Sequence, residues 1–397
     1  MKKRSIRIHL VHLLVFFLSI GSLLGQSDTV STDVSKRKWQ LRGYVKDMVT
    51  LNVASDSTTV DNLIHNRLNF KWYPTSNFNV YLELRNRVFA GDLVKSVPGY
   101  ENLVDGNNDF FDLSVQKKSG RSVIFQSMID RAYIEWYNDK WEVRAGRQRI
   151  NWGVNLVWNP NDLFNVYSFF DFDYEERPGS DAIRIKRYTG FASSVELAAT
   201  LNDDFDKTVI AGMWKVNRWG YDFQFLGGKA REDITLGMGW AGNINKAGFK
   251  GELTWFEPYK DNSNSSALLA SISVDYSFEN SLYLNGSLLF NSDGSDTQFL
   301  NSSGFGNSGQ LTVRNLSPFK YSTFFQTSYK FHPLITGGLA IIYYPSSRNA
   351  LFLNPNATFS LKPNLDLDLI GQIYYDKLLG DYQALAKLGY VRLKWSF

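Results

Sequence analysis

The chain has no cysteine. That absence excludes a disulfide framework, thiol chemistry and lipid attachment at a cysteine. Histidine is nearly absent as well: 4 occur in 397 residues, and two of them, His9 and His12, fall in the first dozen positions. His65 and His332 are too little for a transition-metal site, so no metal or other cofactor is expected. No Pro-rich or Gly/Ser-rich linker interrupts the chain, which points to one domain. After residue 25 there is no apolar run near the ~20 residues that a membrane-spanning helix requires.

Net charge is missing too. The 43 basic and 39 acidic residues suggest a basic protein. Lys2, Lys3, Arg4 and Arg7 precede any acid, however, and Leu10–Leu24 is apolar apart from a few small residues and His12. This reads as a secretory signal peptide over 1–25, with Gly25 the last residue removed, rather than as an anchor helix. Without it the balance is 39 against 39. Global charge therefore gives no argument for a nucleic-acid partner.

Aromatic residues are what the chain has in quantity: 11 Trp, 21 Tyr and 29 Phe. After a polar lead-in over 26–37, the sequence alternates with period two in segment after segment. Eighteen strands are expected over 38–397, at 38–51, 61–73, 78–90, 121–137, 140–152, 181–188, 191–201, 207–217, 220–230, 233–244, 247–257, 266–277, 281–291, 320–331, 334–345, 350–361, 365–376 and 383–396. Sixteen is the count if 181–201 forms a looser hairpin. Every second gap is a short run of turn formers, from Pro74–Asn77 to Lys362–Asn364. The long gaps, 91–120, 153–180 and 292–319, all fall in the other set. Short turns at one end and long loops at the other are the pattern of a transmembrane β-barrel. The expected fold is all-β: a single antiparallel barrel with short periplasmic turns and long outer loops, in the bacterial outer membrane and surrounded by its lipid.

Tryptophans agree with this reading. Trp39, Trp72, Trp136, Trp141, Trp214, Trp219 and Trp395 stand at or near the short-turn ends, where an interfacial girdle belongs. The chain ends Trp395-Ser396-Phe397 after an alternating strand, which resembles the assembly signal of outer-membrane barrels. Phe397 is thus expected to meet the barrel-assembly machinery.

Alternation also sorts the strands into two faces. The inward set contains Arg42, Tyr44, Lys46, His65, Arg67, Glu83, Arg85, Arg87, Arg131, Glu135, Glu142, Arg144, Arg184, Lys186, Arg392 and Lys394. Strict parity would leave Arg147 and Arg149 in lipid, at several kcal/mol. A bulge near Gly146 is expected to turn both inward; the alternative is that they stand above the hydrocarbon. Arg67, Arg85, Arg87, Arg131, Arg144, Arg147, Arg149 and Arg392, with Glu83 and Glu135, then form a basic lumen wall. Its functional reading is a track for anionic solutes, and its bland reading is a rigid interior of ion pairs.

The segment 153–180 holds Asp162, Asp171, Asp173, Glu175 and Glu176 against Arg177 alone. It also carries Trp158, Phe164, Tyr167, Phe169, Phe170, Phe172 and Tyr174. So many aromatics suit a loop that folds into the lumen as a constriction, its acids opposite the basic wall. The aromatics could equally stack on sugar faces, or the loop could meet a partner outside.

Gly146-Arg147-Gln148, Trp152-Gly153, Asn159-Pro160, Asp162 and Arg177-Pro178-Gly179 resemble porin-like barrels related to the alginate-export proteins and an uncharacterised family beside them. The resemblance covers about 130–200. It implies an arginine-bearing strand that lines a passage for a polar, often anionic, solute, and it does not fix the solute. The function expected is a porin-like channel for small polar or anionic solutes. The runner-up is a plugged barrel that binds surface polysaccharide or a protein, with self-association open in either case. Catalysis by His65 has no supporting Ser/His spacing. Calcium at Asp171, Asp173 and Glu175 is less favoured than ordinary solvated carboxylates.

Overall fold

A computed structural model describes residues 38–53, 57–104, 110–167, 169, 171–173, 175–260, 265–295, 312–378 and 381–397. The expected signal peptide and lead-in, and the loop aromatics Phe170 and Tyr174, lie outside the described residues.

The wall begins with β1 (Trp39–Val53), β2 (Thr58–Thr75), β3 (Phe78–Gly91), β4 (Ser114–Ser119), β5 (Val123–Tyr137), β6 (Trp141–Gln148), β7 (Ser180–Gly190), β8 (Ser193–Thr200) and β9 (Val209–Arg218). It continues through β10 (Tyr221–Ala230), β11 (Asp233–Ile244), β12 (Ala247–Pro258), β13 (Ala267–Ser277) and β14 (Tyr283–Asn291). It ends with β15 (Tyr321–His332), β16 (Ile335–Tyr344), β17 (Ala350–Lys362), β18 (Leu365–Leu378) and β19 (Asp381–Ser396). Each is antiparallel to its neighbours, and β1 pairs with both β2 and β19, so the sheet closes on itself. Among the described residues, closure leaves β4, which pairs with β5, as the strand with a free edge. The barrel is thus the eighteen-stranded one expected, plus one short extra strand.

Alternation explains why these segments are strands. In β1, Tyr44, Lys46 and Met48 are buried, while Leu41, Val49 and Leu51 are exposed on the outer face. Charge goes in and aliphatic surface goes out, the reverse of a soluble core and the requirement of a wall facing hydrocarbon. Among the described residues no helix is long and apolar enough to cross a membrane. All eight predicted short turns connect paired strands at one end. Trp39, Trp72, Trp136, Trp141, Trp214 and Trp219 are exposed at that end, and Trp395 lies there too, at the close of β19.

Three expectations need correction. First, β6 stops at Gln148, not 152, because the chain leaves the wall there. Second, β4 lies inside the predicted loop 91–120. It pairs with the upper part of β5, Val123–Met128, where β6 is no longer available. Third, β6 carries no bulge: its registers with β5 and β7 run unbroken through Gly146. The bulge is on β5, where Asp130 is skipped between Glu83↔Arg131 and Leu84↔Ile129. Gly146 has φ 120° instead, and a Cβ there would come within 2.3 Å of the Ala132 carbonyl oxygen.

The core lies within the barrel. Ile150, Trp152, Leu163 and Phe164 of the β6–β7 loop pack with Ala198, Met213, Leu226, Phe256 and Leu269 of the wall. Val157 and Trp158 join Phe319, Phe324, Ile342, Phe352 and Tyr374. Helices α1 (Asp92–Ser96) and α2 (Tyr100–Val104) cover Phe89 and Ile124 at the long-loop end.

Candidate functional site

The site is the loop 149–179 on the inner wall. Its first half is seated by a carboxylate on β12: Glu252 accepts the backbone N–H groups of Val154, Asn155 and Asn161 at 2.6, 3.0 and 2.8 Å. The Trp152 indole N–H donates to Glu196 Oε1 at 2.7 Å, and Gln224 donates to the Trp152 carbonyl at 2.7 Å. Asn155 lies between Ser271 and Ser273, at 2.9 and 2.6 Å. Thr254 donates to Asn161 Oδ1 at 2.7 Å. A loop buried this deeply must satisfy its backbone groups, and polar side chains at inward positions of β8–β13 satisfy them.

The second half crosses to the opposite wall. Phe169 meets Phe324 edge-on at 5.0 Å, and Phe172 meets Tyr390 at 4.8 Å. Then come the acids. Asp173 binds Lys46 at 3.2 Å, His65 Nδ1 at 2.7 Å and Arg392 at 3.2 Å. Glu175 binds Lys46 at 3.2 Å and Lys394 at 2.8 Å. Glu176 lies 3.5 Å from Arg67 and accepts from the Tyr44 hydroxyl at 2.9 Å. Arg131 donates to the carbonyls of Glu176 and Arg177, the latter at 2.8 Å. Loop acids and wall bases are therefore in direct contact. Burial alone would raise the Asp173 carboxyl; the His65 bond, with Lys46 and Arg392, holds it far below the usual carboxylate range. Glu175 is lowered likewise, burial being outweighed by Lys46 and Lys394.

Most of the predicted basic wall is already matched. Arg67 also binds Glu83 and Asp130. Arg131 binds Glu83 at 3.3 Å, and Arg144 binds Glu135 and Glu142 at 2.7 and 3.0 Å. Arg85 packs on the Met128 sulfur, and Arg87 on Gln126 and the Val104 carbonyl. Arg392 is shared with Asp368 at 3.0 Å.

Some predicted residues are elsewhere. Arg147 is 2% exposed. Its guanidinium is enclosed in the wall by Asp181 at 2.9 Å, the Ile129 carbonyl at 3.2 Å and the Phe111 carbonyl. It is packed into the seam between β5 and β7. Arg149 lies past the end of β6 and donates to Asn151 at 2.8 Å. Asp162 does not join the ion pairs of Asp173, Glu175 and Glu176: it is buried beside the Trp152 N–H, and burial pushes its carboxyl up to about 7, with Arg149 only partly offsetting this. Trp158 is also buried, packed on Phe324. Asp171 is exposed. Glu252, Glu196, Asp130 and Asp181 were missed. A carboxylate on an inward position among Ser, Thr and Gly was the available signal for Glu252.

Below the loop, toward the short-turn end, Asn79, Glu135, Tyr137, Asn138, Glu142 and Tyr188 line a polar cavity of ≈ 320 Å³. His65 is buried between Asp173 and Tyr44, and no serine among the described residues bonds to it. No group of three His, Asp or Glu residues among the described residues is placed to hold a metal.

No protein family's profile matches the chain, and no curated protein matches it. The resemblance to alginate-export barrels therefore rests on its motif residues alone. Solved porins share the fold. OccK5 (OpdH) of Pseudomonas aeruginosa is similar at a TM-score of 0.59 and 7% identity, over 91% of this chain and 98% of that one. OccAB2 of Acinetobacter baumannii gives 0.57 and 9%, over 90% and 98%. OccK8 (OprE) of Pseudomonas aeruginosa gives 0.55 and 8%, over 90% and 98%. Such identities speak for a porin-type barrel and not for a solute.

Proposed function

We propose that this protein is an outer-membrane channel for small polar solutes, with a preference for anions. The short-turn end faces the periplasm, and the loop 149–179 sets the passage. The observation that carries this reading is the face where Asp173, Glu175 and Glu176 meet Lys46, Arg67, Arg392 and Lys394. The bases sit on the fixed wall and the acids on a loop. An anionic solute brings the same chemical group as the loop acids, so it can exchange for them along the wall without leaving a base unpaired. Planar bilayers test this. Conductance steps with a reversal potential biased to chloride are expected. Lys46→Ala with Arg392→Ala should reduce the bias, and an absence of steps from correctly assembled protein sinks the channel.

A second reading, a plugged barrel that binds surface polysaccharide or a protein, is favoured by the bonds that fix the loop to both walls. Assembled but silent protein would select it.

A further inference from the structure

Around most of the barrel the outward positions are apolar, as with Ile183 on β7, Leu197 on β8, Leu236 on β11 and Ile272 on β13, all exposed. On β1, β2, β3 and β5 the apolar face, with Leu51, Val60, Leu82 and Phe125 exposed on it, is interrupted by polar side chains. Lys46, His65, Arg67, Arg85, Arg87 and Gln126 are committed to the interior. The alternating positions between them therefore face outward: Asp47, Asn62, Asn66, Asn86 and Ser127. They bond to one another across the strands. Asn62 donates to Asp47 at 2.6 Å, Asn86 to Asn66 at 3.1 Å, Ser127 to Asn86 at 2.7 Å, and Asn66 to the Tyr44 carbonyl at 3.1 Å.

The strip lies deep. Asn66 is separated from the girdle residue Trp72 by roughly 20 Å of strand, or about 15 Å of height at a ~40° tilt, within an apolar band ~25 Å tall. Its hydrogen-bonding capacity is only half used. A carboxamide has two donors and two lone pairs. Asn66 and Asn86 each spend one N–H and one acceptor position among the described residues. Hydrocarbon offers nothing to the remainder. Beside the strip, on β1 and β17–β19, the outer face is indented where Pro355, Ala357, Gly371 and Gly389 are small, a hollow of ≈ 480 Å³.

We infer that the outward face of β1, β2, β3 and β5 is a docking interface for a second copy of this chain. A strip of carboxamides is donor and acceptor at once. The same strip on another copy completes its bonds, which is the self-complementarity that a symmetric contact requires. The inference rests on the proposed membrane location.

The absence of cysteine makes the test direct. Asn86→Cys, oxidised in isolated outer membranes, should yield a two-chain product, whereas Ile272→Cys on the far wall should not. The Asn66→Leu, Asn86→Leu pair should assemble and reach the membrane, but lose the larger species in native mass spectrometry. Single-chain products from Asn86→Cys in the membrane fraction overturn the interface, as does an unchanged stoichiometry of the leucine pair. A disulfide-linked adduct with a different polypeptide overturns the choice of occupant. Absence of the wild-type chain from the membrane fraction overturns the location, and the interface with it.

Discussion

Asp173 concentrates the chemistry of the lumen in one side chain. It holds Lys46, His65 and Arg392 together. Its depressed carboxyl stays ionised in the folded barrel well below neutrality. That contribution is therefore fully present above the ordinary carboxylate pKa of about 4 and is lost only as pH falls further. Asp173→Asn leaves buried cations short of a counter-charge, at about 3–5 kcal/mol. The loop tail should leave the wall, with single-channel conductance and chloride bias both increased in planar bilayers. Unchanged values would show that this contact does not set the passage. Asp162 has the opposite sign. Its folded carboxyl is raised to about 7, so between pH ~4 and ~7 the folded state holds a proton that the unfolded state has released, and stability falls as pH rises. The displacement of about three units is on the order of 4 kcal/mol. Proteolysis of the loop should be faster at pH 8 than at pH 5 in the wild type, and Asp162→Asn should reduce the difference.

At the scale of elements, the loop 149–179 is held by two unlike fastenings: backbone N–H groups on a wall carboxylate, and loop carboxylates on wall bases. Glu252→Ala removes one acceptor from three buried donors, each worth about 1–3 kcal/mol when orphaned. The prediction is an intact barrel in which 152–161 becomes protease-sensitive, while the Asp173 contacts persist at first. Fragment masses after limited digestion check this. The strands were legible in the sequence because a wall between lipid and a polar lumen forces alternation at nearly every residue. β4 was not legible, since Ser-Val-Gln-Lys-Lys-Ser carries no apolar face and pairs only because β6 leaves a vacant edge. The end of β6 was misplaced for a related reason: Arg149 to Trp152 still alternates, although the chain has turned inward. The bases of the site were legible from parity. Their partners were not, because the depth at which a loop acid arrives depends on tertiary seating. Gly146 was recognised as special but for the wrong reason. Its φ is 120°, and a methyl group there would stand 2.3 Å from the Ala132 carbonyl oxygen. Gly146→Ala should therefore destabilise the β5–β6 seam by about 1–3 kcal/mol. A lower denaturation midpoint of the folded barrel on semi-native gels would register it.

The whole molecule is organised by closure. A barrel has no hydrophobic interior to collapse around until its first and last strands meet, and here that meeting ends on one residue pair. Gly43 N–H donates to the Phe397 carbonyl and Phe397 N–H to the Gly43 carbonyl, both at 2.9 Å. A Cβ on Gly43 would stand 2.3 Å from the Arg67 carbonyl and 2.7 Å from the Phe397 ring. Gly43 therefore leaves room for the β1–β2 ladder and for the terminal ring at once. Two variants separate these demands. Deleting Phe397 removes two hydrogen bonds and the ring but leaves the rest of the ladder from Tyr44↔Ser396 to Val53↔Lys387. Gly43→Val keeps every residue of that ladder but crowds both seams. If closure at this pair limits assembly, both variants should lower the fraction of chain that shows heat-modifiable migration and protease protection in the membrane. Gly43→Val should do so more, because it strains β1 against β2 as well as β19. If deletion of Phe397 blocks assembly while Gly43→Val assembles normally, the terminal residue acts through recognition by the assembly machinery and not through its seat against β1.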